Sequence, residues 1–144
     1  REKGFYKALQ EFNLQFNNEY FFCDAFTVED GRRILHDMMN LPIKPTAVFT
    51  GGDEVAAGIV SEAKLLGLKI PDELAVVGFD NQVITELLDP QITTVHQPVE
   101  VMAKKAFDIM IEKIRTKRYT DKEIYEYELE LIVRNSTERQ KVLI

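Results

Sequence analysis

Apolar and polar positions follow two rhythms along this chain. Phe5, Leu9 and Phe12 recur at spacings of four and three, which marks one face of an amphipathic helix over residues 2–13. Tyr20-Phe21-Phe22-Cys23 is a short apolar run that reads as a buried strand. Helical spacing returns from Asp30 to Asn40, with Ile34, Leu35, Met38 and Met39 as the apolar face, and Pro42 and Pro45 end it. Thr46-Ala47-Val48-Phe49 is a strand candidate. After Gly51-Gly52, Asp53 opens a long helix through Val55, Ile59, Ala63 and Leu66, which Gly67 and Pro71 terminate. Leu74 to Phe79 is too short for a helix and too continuously apolar for a half-exposed strand, so it reads as a strand buried on both faces. Thr93-Thr94-Val95 suggests a shorter strand, and Val99 to Arg115 a helix with Met102, Ala106, Ile109 and Met110 in register. From Ile124 to Val133 the period becomes two: Tyr125, Tyr127, Leu129 and Leu131 alternate with Glu126, Glu128 and Glu130. The first ninety residues thus run α-β-α-β-α-β, which predicts an α/β fold with a parallel sheet flanked by helices.

Composition narrows the function classes. The chain of 144 residues suffices for one domain with a sizeable core. No run approaches the roughly 18 consecutive apolar residues of a membrane span, and Arg1-Glu2-Lys3-Gly4 precedes no apolar signal-peptide region. The start lacks Met and falls inside a predicted helix, so the chain reads as a piece of a longer protein. A net charge of −6 opposes phosphate binding by this segment. Its densest basic group, Lys113 to Arg118, fits the C-terminal turn of a helix, where cations suit the dipole. The lone Cys23 cannot form an internal disulfide and is expected to be a buried thiol, which fits a cytoplasmic protein.

Catalytic and cofactor patterns are lacking. Gly51-Gly52 leads into Asp53-Glu54, where a phosphate loop needs Lys followed by Ser or Thr, so the pair reads as a strand-to-helix turn with Asp53 as N-cap. His36, His96 and Cys23 show no metal-ligand spacing. The row Glu126, Glu128 and Glu130 reads as the solvated face of a strand, and no serine sits in a nucleophile elbow. The expectation is no enzyme, no metal and no cofactor.

Geometry then supplies candidates. Ligands of open parallel sheets bind at the carboxyl ends of the strands. The segment after Cys23, the Gly51-Gly52-Asp53 turn, Asp80-Asn81 and His96-Gln97 should therefore line one edge. They offer an aromatic ring (Phe26), a carboxylate (Asp80) and amides (Asn81, Gln97), a set suited to a polar small molecule such as a sugar or nucleobase. For Asp80, a turn-forming role after the strand weighs equally on pattern alone.

These same stretches resemble a known family. Pro45-Thr46-Ala47-Val48-Phe49 with Asp53 to Gly58, Leu66 to Asn81, Leu88 to Pro98, and Leu131-Ile132-Val133-Arg134-Asn135-Ser136 are similar, in order and spacing, to four motifs of LacI/GalR-type transcription regulators. The resemblance covers nearly the whole chain. It implies the C-terminal part of a periplasmic-binding-protein-like sensor: residues 1–96 as the C-terminal subdomain, 97–122 as a crossover segment belonging to the N-terminal subdomain, and 123–144 as a return strand and tail. The DNA-binding domain would lie outside this fragment.

The resemblance also implies site residues. Arg1 opens a match to "R-x-x-G-F", where the family places a ligand contact; Phe26 matches the aromatic of purine-sensing members; Asp80 matches the carboxylate that accepts ligand hydrogen bonds; Gln97 sits at the crossover. Gly52 stands where many sugar-binding members carry Asn, which removes a sugar-reading amide. The implied effector is a sugar, phosphosugar or purine, or a phosphoprotein corepressor. The implied assembly is a homodimer that reaches operator DNA only through its N-terminal domain. The other reading is a solute-binding protein of a sugar transport system. Because the helix from Val99 to Arg115 would lack its partner subdomain, the isolated chain is expected to self-associate.

Overall fold

A computed structural model of the chain describes residues 1–117 and 123–138. The order is α1 (Glu2–Glu11), a 3-10 turn (Asn18–Tyr20), α2 (Val28–Met39), β1 (Ala47–Phe49), α3 (Asp53–Leu66), β2 (Ala75–Asp80), α4 (Ile84–Leu87), β3 (Thr93–His96), α5 (Val99–Thr116) and β4 (Glu130–Ile132). The sheet runs β1-β2-β3-β4 in space. The first three strands are parallel, with Val48 opposite Val76 and Gly78 opposite Thr94, while β4 pairs antiparallel to β3, with Val95 opposite Leu131. The first three strands bear out the expected parallel sheet, and the returning β4 makes the sheet mixed.

Packing centres on α2, α3 and β2. Ile34, Leu35 and Met38 of α2 meet Val55, Ala56, Ile59, Val60 and Ala63 of α3, and Leu74, Val76 and Ile92 close the core from the sheet. The two helices touch backbone to backbone. A methyl group on Gly31 would sit 2.1 Å from the Val55 carbonyl oxygen, and one on Gly58 would sit 2.0 Å from that of Val28. Only glycine permits that approach. Gly67 ends α3 with a left-handed φ of 71°, as the sequence pattern predicts, while Thr27 caps α2 in a reciprocal box with Asp30, so that α2 begins at Val28 and not at the expected Asp30.

Four local expectations are corrected. Tyr20 to Cys23 forms no strand. The Asn17 side chain accepts from the Glu19 amide and starts the 3-10 turn, and Asp24, at φ 55°, breaks extended geometry just beyond Cys23. Only Phe22 of this run packs against the core, so Cys23 is exposed, not buried. The alternating segment 124–133 is a strand only over Glu130–Ile132. Past His96, β3 gives way to Gln97 and Pro98 and then α5, so nothing remains to pair with 124–129; the Glu126 and Glu128 side chains do not stand on a strand. Asp53 is not the cap of α3. Gly52 holds that place in extended geometry, and Asp53 is the first helical residue, fully buried.

Candidate functional site

The burial of Asp53 follows from its partners. Its carboxylate accepts from the Thr94 hydroxyl at 2.6 Å and from the Gln82 amide at 2.7 Å, which ties the start of α3 to β3 and to the loop after β2. It fills the space above Gly78, where a Cβ would lie 2.1 Å from its Oδ1. Desolvation pushes its pKa above the ordinary carboxylate value, against the pull of the Thr94 hydrogen bond. Asp53 is thus a structural tie beneath the cleft floor, and the spacing of the sequence carried no sign of its partners.

Above it lies a cleft of about 320 Å³, lined by residues that include Arg1, Phe26, Gly51, Gly52, Glu54, Asp80 and Gln82. Four chain segments meet here, two of them at the ends of β1 and β2. Arg1, preceding α1, donates to the Gly51 carbonyl at 2.5 Å and lies 3.5 Å from Asp80 Oδ1. Its guanidinium carbon also sits 4.0 Å from the centre of the Phe79 ring, a cation–π arrangement. The helix behind Arg1 is held by ring contacts, with Phe5 stacked on Phe49 of β1 at 6.2 Å and edge-on to Phe16 at 5.5 Å.

Asp80 ends β2 with a φ of 110°, and Asn81 follows at 54°. Two successive non-glycine residues in positive-φ geometry are uncommon and require support from their surroundings. The Asp80 carboxylate accepts from the Gln97 side-chain amide at 2.5 Å as well as facing Arg1. Phe26 is 76% exposed on the cleft rim, an open ring face with little packed against it. Arg1, Phe26 and Asp80 are therefore brought together around one opening, while Gln97 is not among the lining residues and reaches it only through its hydrogen bond to Asp80. Asn81 does not face it: its side chain turns away to Arg134 at 2.9 Å and to His96 at 3.4 Å. Reasoning on sequence alone missed Phe79 beneath Arg1, and Glu54 and Gln82 on the rim. Glu54 directly follows Asp53 in the first turn of α3, beside the Gly51-Gly52 turn already marked as a strand end, a signal that could have marked it.

A second hollow, about 430 Å³, runs along α5 between Phe107 and Thr116 and gathers no strand-end residue. Among the described residues no group of three or more His, Cys, Asp or Glu side chains is arranged to hold a metal ion, and no helix is long and apolar enough to cross a membrane. His36, expected on a surface helix, faces Glu62 at 2.9 Å, away from the cleft. Lys113 and Arg115 lie in the last turn of α5 as expected, while Arg118 falls outside the described residues.

An open α/β sheet with a carboxylate and an amide at its strand ends, and a guanidinium and a free ring beside them, is a domain of the class that takes up small ligands at that edge. Residues 1–137 match the periplasmic binding protein-like domain, and the chain belongs to that family. It is 42% identical over 137 residues to the NTD biosynthesis operon regulator NtdR of Bacillus subtilis, and 35% identical over 139 residues to the HTH-type transcriptional repressor PurR of Vibrio vulnificus. Those alignments take in 95% and 96% of this chain but 42% and 41% of the relatives, so the chain spans about two fifths of their length. A LacI family transcriptional regulator from Lactobacillus casei with bound sucrose superposes with a TM-score of 0.80 at 29% identity, over 93% of this chain and 49% of that one. The likeness to LacI-type regulators read from the four motifs is thus shown by relatives and by fold. The named relatives are regulators, not transport proteins or enzymes.

Proposed function

We propose that this chain is the C-terminal part of the effector-binding domain of a bacterial, cytoplasmic transcription regulator. A small polar molecule would occupy the cleft at Arg1, Phe26, Asp80 and Gln97 and alter DNA binding by a helix-turn-helix outside this segment. The observation that carries the reading is the convergence of Arg1, Phe26 and Asp80 on one cleft, with Gln97 bonded to the Asp80 carboxylate, in a chain whose relatives are regulators. A guanidinium and a carboxylate offer donor and acceptor to hydroxyl, carbonyl or ring nitrogen atoms, and Phe26 offers a stacking face. The chain does no chemistry in this reading. It responds by population shift: the ligand favours one arrangement of two subdomains.

The domain division rests on the same reading. Residues 1–96 form one subdomain, 97–122 cross to the other, and 123–144 return. Supporting this, no residue of α5 is buried, while β4 rejoins the sheet beside β3. Residues 118–122 and 139–144 lie outside the described part. The regulator would act as a homodimer.

The test is calorimetric titration of the full-length gene product with sucrose, glucose, glucose 6-phosphate, guanine and hypoxanthine, alongside operator-binding measurements. One class should bind and change DNA affinity, and Asp80→Ala should abolish that binding. A protein that binds DNA but ignores all five compounds, with DNA affinity answering only to a phosphoprotein, would replace the small-molecule reading with a protein corepressor.

A further inference from the structure

Arg134 lies just beyond β4, and its side chain is only 11% exposed. One guanidinium nitrogen donates to Thr85 Oγ1 at 3.2 Å and to the Ile92 carbonyl at 3.0 Å. The other donates to Asn81 Oδ1 and to Glu86 Oε1, each at 2.9 Å. A planar fork of five N–H donors can satisfy acceptors spread in this way; a lysine ammonium cannot reach them together.

The acceptor that matters is Asn81. It follows Asp80 in the positive-φ pair, and such a conformation persists only where neighbours hold it. The backbone of this loop is held by Thr94 Oγ1, which accepts from the Asn81 amide at 3.3 Å, and by Asp53, which accepts from the Gln82 amide. The Asn81 side chain is held by Arg134, from 53 residues further along the chain, with His96 on its other side at 3.4 Å. His96 in turn precedes Gln97, the donor to Asp80.

We infer that Arg134 is a positioning residue for the cleft: by gripping the Asn81 amide it fixes the turn that aims the Asp80 carboxylate at Arg1 and Gln97. The functional weight of this role rests on the reading of the cleft as a ligand site. It also gives the strand that returns from the crossover a direct line to the cleft carboxylate. A displacement of β4 would reach Asp80 through one guanidinium and one amide.

The experiment is heteronuclear NMR on the full-length gene product without ligand, following the Asp80 side-chain carboxyl carbon and the Gln97 side-chain amide. Variants are Arg134→Lys, Asn81→Ala, the double variant, and Glu86→Gln. Arg134→Lys and Asn81→Ala should each shift both signals in the same direction, and the double variant should shift them no further than the larger single change. Glu86→Gln removes a different partner of the same guanidinium and should leave both signals in place. Lowered thermal stability in Arg134→Lys with unmoved Asp80 and Gln97 signals would reduce Arg134 to a structural clamp and overturn the inference. Additive shifts in the double variant would do the same. If Arg134→Lys does not fold, Asn81→Ala decides alone, because unmoved signals there break the chain from Asn81 to Asp80. None of these readouts needs a ligand, so a cleft that binds no sugar, phosphosugar or purine would sink the functional reading without touching this one.

Discussion

Helices α3 and α5 carry comparable apolar patterns and have opposite fates. In α3, eight of the residues from Asp53 to Ala63 are buried between α2 and the sheet. In α5, none of 18 residues is buried, and Val99, Val101, Met102, Phe107, Met110 and Ile114 all stand exposed. The Tyr125 ring does lie against this helix, with Lys105 Nζ 4.3 Å from its centre, but one ring leaves most of the face open. An amphipathic pattern states that a helix has a side to bury. It does not state that the partner lies in the same stretch of chain. Contiguous exposed apolar surface of this kind marks an interaction face.

The comparison can be broken most forcefully in the core. Leu35, fully buried, contacts the α3 cluster, so Leu35→Ala should cost about 2–5 kcal/mol, read by urea unfolding. A loss below about 1 kcal/mol would mean that the α2–α3 core is not the stable half.

Ser136 tests how β4 and its tail are fastened to that core. Its hydroxyl, fully buried, donates to the Val76 carbonyl at 2.6 Å and accepts from the Thr93 amide at 2.8 Å. Ser136→Ala leaves both groups unpaired and should cost about 1–3 kcal/mol. Hydrogen exchange at the Thr93 amide should quicken in the same variant.

Acidity separates two carboxylates. Burial raises the pKa of Asp53 above 3.8, so the folded state holds its proton more tightly than the unfolded chain does. Stability from this group falls as pH rises through its folded value and is regained on acidification towards 3.8. Asp30 behaves oppositely. The amides of Phe26 and Thr27 and the Thr27 hydroxyl hold it well below 3.8, so its contribution is present above 3.8 and lost as pH falls below. Thermal melts of Asp53→Asn should lose the rise seen on mild acidification and keep the loss at lower pH. An unchanged profile in that variant would remove Asp53 as its source.

The smallest effect on stability is expected at Phe107→Ala in α5, where the ring is 58% exposed and the change should be close to nil. Its effect should appear in association instead. The isolated chain should sediment as concentration-dependent oligomers, and Phe107→Ala should weaken them. A monomer across a wide concentration range would show that this face seeks no partner.

Much of this was legible from short-range patterns. The end of α3 followed from Gly67, whereas α2 begins at Val28 behind the Thr27–Asp30 box, two residues before the start that its apolar spacing marks. The strand-end rule gathered Asp80 and Gln97 because parallel strands deliver their carboxyl ends to one edge whatever their side chains are; Phe26 reaches the cleft from the loop before α2 with no strand behind it, and Arg1 came from the family motif. Non-local partnerships were not legible. Tyr20 to Cys23 had the composition of a strand but no paired neighbour, and residues 124–129 had its period but faced a chain already turned into α5.

Alone, the sequence determined the family, the α/β alternation and the edge where a site can form, because periodicity and turn residues act within a few positions. Tertiary structure decided that Asp53 is buried under the cleft and not a cap, that Asn81 faces Arg134 instead of the opening, and that α5 is left bare. Those outcomes depend on hydrogen-bond partners 29 to 53 residues away, and on packing surfaces that no local pattern encodes.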